Sequence, residues 1–227
     1  MIWDIIEAIK NADIFSIISS LISIAIVLFI CFPVHETAHG YAAYKLGDPT
    51  AKFMGRLSLN PLRHLDIMGS LMIAVLGVGY AKAVPVNMTN LRNPKRDMAL
   101  IALAGPLSNM AMAVIFCMLY TASAMFLPAN VFTSIMGLVF VQAAIINISL
   151  AMFNLIPIPP LDGSRILGFF VADRVYYKIM QYERYIMLGV IVLMLSGVFD
   201  KPLSNMTFGI LNGLVNFFAF IFGGFKF

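Results

Sequence analysis

The hexapeptide VHETAH, Val34–His39, closes a run from Ile14 to Val34 that contains no Asp, Glu, Lys, Arg or His. Two of the chain's three histidines and one of its three glutamates are gathered there. Ionisable groups are costly at membrane depth and mark function when they occur. The surrounding composition says that this is membrane depth. The 227 residues are 61% hydrophobic and only 11% charged, with a mean hydropathy of +0.92. Soluble domains are nearer 45–50% apolar and about 25% charged. The chain therefore reads as an all-α, polytopic integral membrane protein.

The net charge of +4 and pI near 9.1 could suggest nucleic acid. In so apolar a chain they read instead as basic cytoplasmic loops, with membrane lipid and no nucleic acid as partner. Cys31 and Cys117 both lie in apolar runs and read as small buried hydrophobes, not as a disulfide.

Uncharged stretches mark the expected spans. Ile14–Val34 continues through HETAHGYAAYKLG to Gly47, with Asp48-Pro49 as the stop. Ile67–Ala81 is short and rich in small residues, and is expected to be re-entrant or tilted. From Met98 to Leu161 there is no charge at all, with LPAN (Leu127–Asn130) dividing two helices. Prolines 157, 159 and 160 end the second of these. Tyr185–Phe199 and Leu203–Phe225 complete a set of about five or six transmembrane helices. AKFMGRLSLN (Ala51–Asn60) and AKAVPVNMTN (Ala81–Asn90) alternate and carry turn residues, which predicts a small β-strand region at the membrane surface. The whole, 1–227, reads as one domain with a core at about 14–168 and additional C-terminal membrane helices over 183–227. If Ile67–Ala81 does not cross, this topology puts all but Lys10 and Lys201 of the fifteen Lys and Arg on one side, which is then cytoplasmic. HETAH and the proline break fall toward that same side.

On a helix, His35 and His39 share a face about 6 Å apart. Both imidazoles can then reach one ion, while Glu36 points toward the water the ion carries. Zinc suits such ligands, keeps an open position in catalytic sites and lowers the pKa of a bound water to about 7. The bland alternative is a pair of interfacial histidines. A third ligand must come from elsewhere, and the first charge after the long uncharged run is Asp162, presented by a proline-rich break. The alternative for Asp162 is an ordinary turn residue. His64, in NPLRHLD, could be a fourth metal contact, a hydrogen-bond donor in the active site, or a loop residue.

Three separated motifs then resemble the site-2 protease family of intramembrane zinc metalloproteases. HETAH is similar to that family's HExxH on a membrane helix. NLIPIPPLDG (Asn154–Gly163) is similar to its N-x-x-P-x-P-x-L-D-G signature, and LAGPLSN (Leu103–Asn109) to the G-P-x-x-N of a middle core helix. The resemblance spans about Ile14 to Gly168 and points to the compact bacterial or archaeal type, without PDZ or CBS modules. It implies one Zn2+ per chain held by His35, His39 and Asp162, with Glu36 as general base. Asn154 and His64 are the candidates for substrate or oxyanion contact, and Gly105, Pro106 and Asn109 are expected to serve close packing and capping. The implied activity is hydrolysis of peptide bonds in or near the span of single-pass membrane proteins. It implies a multi-pass protein of the cell membrane with its active site toward the cytoplasm. A metal-ion transporter and a catalytically silent scaffold are the rival readings; the sequence leaves the oligomeric state open.

Overall fold

A computed structural model of the chain describes residues 14–64 and 83–223. The first helix, α1 (Ile14–Lys45), is long and apolar enough to cross a membrane. It is interrupted once, by a π-helical turn at Val27–Cys31. Pro33 stands two residues beyond it and has no N–H to give to the carbonyl four residues back. The backbone opens by one residue instead, and Phe32 donates to the Val27 carbonyl. HETAH begins four residues beyond the end of this widened turn, at His35.

A four-residue helix, α2 (Thr50–Phe53), follows the stop at Asp48-Pro49. Then come α3 (Pro94–Phe126) and α4 (Val131–Asn154), joined by the short LPAN connection. Asn130 caps α4 with a reciprocal pair of hydrogen bonds to Thr133. Short helices α5 (Asp162–Phe170), α6 (Asp173–Gln181) and α7 (Glu183–Leu195) lead to α8 (Asp200–Gly223). α3 packs along α1, α4, α5 and α8, so it is the central post of the bundle.

Membrane helices gain little from apolar contact with one another, because lipid is equally apolar; close approach and polar seams hold them instead. The core follows that rule. Ala113, Ala143 and Ala144 are fully buried beside Cys31, Cys117 and Ile148. Ser23 donates to the Ser19 carbonyl at 2.7 Å and lies 3.0 Å from the Gln142 amide oxygen. Asn147 donates to the Ala143 carbonyl at 2.8 Å and to Cys31 Sγ at 3.2 Å. Both cysteines are free and buried, as their apolar settings predict.

Two expectations are corrected. Among the described residues there is no β-strand. Ala51–Phe53 belongs to α2, and Gly55 turns the chain at φ 65°. The described part of the second expected strand is 83–90; Met88–Asn90 form a 3-10 turn, and the residues before it spend donors on side chains. Val84 N–H goes to Glu36 Oε2 at 3.0 Å, and Asn87 N–H to Asp48 Oδ2 at 2.6 Å. The count of spans also falls. Four described helices are long and apolar enough to cross: α1, α3, α4 and α8. α7 has 13 residues, about 20 Å against the ~30 Å of a bilayer core. The expected re-entrant segment, Ile67–Ala81, lies outside the described residues.

Candidate metal centre

Three elements meet at HETAH. α1 presents His35 and His39 one turn apart, with ring centroids 4.6 Å from each other at a near-perpendicular angle. The break after α4 brings in the third group. Leu155–Leu161 cannot continue the helix, Pro159–Pro160 is a cis peptide, and Asp162 opens α5. A carboxylate is favoured there by the helix dipole. Gly163 makes this junction feasible: a Cβ on it would lie 2.3 Å from the Leu155 carbonyl oxygen and 2.5 Å from that of Ile156.

His35 Nε2 and His39 Nε2 are 3.0 Å apart. Asp162 Oδ2 lies 3.5 Å from the first and 3.3 Å from the second. Donors around one tetrahedral ion at about 2.0–2.1 Å stand roughly 3.3 Å from one another. The spacing of the three donors thus fits a single small cation. The proton positions fit too. His39 Nδ1 is 2.7 Å from the Ile101 carbonyl; an N–H donated there leaves Nε2 with a free lone pair aimed at the cluster. Asp162 Oδ2 is buried and accepts no hydrogen bond, a costly state that an ion would relieve. Among the described residues, these three form the one group of His, Cys, Asp or Glu side chains able to hold a metal.

Glu36 is also buried, at 8% exposure, and its Oε2 accepts the Val84 N–H. The segment around Val84 therefore lies against the HETAH helix. Thr37 donates to the Ser58 carbonyl at 3.0 Å, so the chain before and after residues 65–82 is anchored at one level of α1.

The fold brings His35, His39 and Asp162 together and leaves His64 outside that group. His64 is buried, with Nε2 2.6 Å from the Ser58 carbonyl and Nδ1 unpartnered. Asn154 ends α4 half-buried. Two participants were not foreseen, the Ile101 carbonyl and the Val84 N–H; Gly105, expected to serve close packing, does so against the imidazoles themselves. A Cβ on Gly105 would reach to 2.3 Å from His39 Nε2 and 2.5 Å from His35 Cε1. Gly105 therefore lets α3 close over both imidazoles. The glycine is visible in LAGPLSN, but only the fold says what it faces.

The family model for peptidase family M50 matches residues 23–139 and 123–197, which takes in HETAH, Gly105 and Asp162. The chain belongs to peptidase family M50. Among similar proteins, a Bacillus subtilis (strain 168) protein described as "Putative zinc metalloprotease YwhC" is 40% identical over 187 residues, covering 80% of this chain and 82% of its own. A Methanocaldococcus jannaschii protein described as "Putative zinc metalloprotease MJ0611" is 30% identical over 178 residues, covering 76% and 84%. A Mycolicibacterium smegmatis protein, "Putative zinc metalloprotease Rip2", is 33% identical over 136 residues, covering 57% of this chain and 50% of its own. No solved structure matches. As an M50 peptidase with four candidate spans, this is a multi-pass membrane protease with a site for one metal ion.

Proposed function

We propose that this M50 peptidase is a zinc endopeptidase that cleaves single-pass membrane proteins within or near their spans. His35, His39 and Asp162 would hold the zinc, and Glu36 would serve as general base. The observation that carries this reading is the convergence of three donor atoms, 3.0–3.5 Å apart, beside a buried glutamate on an otherwise apolar helix. The relatives' descriptions as zinc metalloproteases support the choice of metal.

Bound there, zinc supplies a Lewis acid and a water of lowered pKa. The chain's own residues do the rest. Val84 N–H fixes one oxygen of Glu36 and leaves the other to take a proton from water and return it to the leaving amine. The Ile101 carbonyl fixes the His39 tautomer. Asn154 and His64 remain candidates for contact with the substrate carbonyl. Burial of the site suits a bond that lies in the membrane.

The site lies within the last turns of α1. With α1, α3, α4 and α8 as the spans, the described lysines and arginines all fall on that side, which favours the cytoplasmic side of the cell membrane. We read the chain as one domain, with α8 packed against α3 and α4.

The test uses the full chain in lipid with a panel of tagged single-pass substrates. Cleavage should stop on chelation and return with zinc. Cleavage that survives complete metal removal would overturn the proposal.

A further inference from the structure

The outward face of α8 carries a polar stripe between exposed apolar residues, Met206, Phe208 and Phe217, and Phe220 follows at its C-terminal end. Asn205, Gly209, Asn212, Gly213 and Asn216 are all exposed, and at 100° per residue they fall within an arc of about 100°. Thr207, Leu211 and Phe218, on the opposite face, are buried against the bundle. None of the three asparagines has a hydrogen-bond partner among the described residues. Asn212 sits near the middle of this 24-residue helix, far from either interface. A primary amide facing hydrocarbon without a partner is costly. Beside it the backbone is open. A Cβ added at Gly209 or Gly213 meets nothing within 4 Å.

We propose that this stripe is the contact surface of a parallel homodimer, packed α8 against α8. Three features select a second copy as the occupant. An amide is both donor and acceptor, so identical Asn faces are complementary to each other. Copies inserted with one orientation place Asn212 at the same depth, which is what a two-fold axis along the membrane normal requires. Gly209 and Gly213, four residues apart, allow the close backbone approach that such pairs need. The dimer leaves the metal centre untouched, because the stripe faces away from the core that α8 shares with α3 and α4.

The test is disulfide cross-linking of the full chain in bilayers. Asn212→Cys and Asn216→Cys should each give a dimer of this chain under mild oxidation. Ile115→Cys, also exposed but on α3, should give none. Gly209→Ile should abolish dimerisation while the protein retains bound zinc, which shows that it still folds. Asn212→Leu should shift the dimer midpoint roughly tenfold toward higher density in lipid. A monomer at high density, with no cross-link from either asparagine position, would overturn the proposal. So would cross-linking within one chain, or only to a different protein.

Discussion

The Cα of Gly105 faces the His39 ring so closely that a β-carbon on it would stand 2.3 Å from Nε2, the atom aimed at the metal position. A middle helix thus supplies no ligand to the centre yet sets the space in which the ligands can converge. Ser108 tightens the same turn by donating to the Gly105 carbonyl at 2.7 Å. Gly105→Ala should therefore displace His35 or His39 and lower zinc affinity by about 10–100-fold, with cleavage lost in parallel. Gly137→Ala is the control: its new Cβ would lie 3.8 Å from Tyr120, an ordinary contact. Metal content after gel filtration, measured for both variants, checks this.

Asp162 is the proposed ligand that the fold must carry farthest, across the break after α4. Asp162→Ala should leave two imidazoles and reduce bound zinc by about 10²-fold or more, since a third donor is missing. Excess zinc should restore occupancy only in part. Titration with a competing chelator reads the difference.

The Val84 N–H is predicted to position Glu36. Val84→Pro removes the donor and keeps an apolar side chain, whereas Val84→Ala keeps the donor. Loss of a hydrogen bond to a charged group is worth about 1.5–3 kcal/mol, so the proline variant should lose roughly 10–100-fold in kcat with zinc retained. The alanine variant should stay within a fewfold of wild type. Equal loss in both would make side-chain packing of Val84 on Gly40 the relevant contact.

Asp48 ties the end of α1 to the segment that carries Val84. It is fully buried and accepts from Thr50 N–H, the Asn90 amide at 2.8 Å and Asn87 N–H at 2.6 Å. Burial pushes its carboxyl up, but the hydrogen bonds from Thr50, Asn90 and Asn87 outweigh that and hold it below the usual range. A carboxyl lowered on folding stabilises the protein fully above its unfolded value of about 4 and loses that contribution as pH falls through the folded value. Wild type should thus lose stability below about pH 4 at this site. Asp48→Asn should be less stable at neutral pH by about 1–3 kcal/mol and lack that acid-dependent part. Thermal unfolding in detergent across this range compares the two.

Much of the candidate centre was legible in the residues because its three donor side chains obey simple rules. His35 and His39 are four apart, so helical periodicity alone puts them on one face. Asp162 stands out as the first charge after a long uncharged run. Ile101 and Val84 were not legible as participants, because each acts through its backbone, and Gly105 was legible only as a packing residue, without what it packs on. Every residue has a carbonyl, and nearly every one an N–H; only the fold decides which of them meets an imidazole or a carboxylate. The strand expectation failed for a related reason. Alternation around Val84 suggested pairing, yet Glu36 and Asp48 took the donors that a neighbouring strand would need. The count of spans failed at α7, where apolar residues outrun the helix that contains them.

The rival readings part from the protease at one atom. A transporter needs several weak sites along a path, whereas the described residues form one compact ligand group with Glu36 beside it. The most direct measurement pairs bound zinc with cleavage of tagged single-pass substrates, in wild type and in Glu36→Gln. The account predicts near one zinc per chain in both, with cleavage reduced by about 10²–10⁴-fold in the variant. Undiminished cleavage by Glu36→Gln would contradict it.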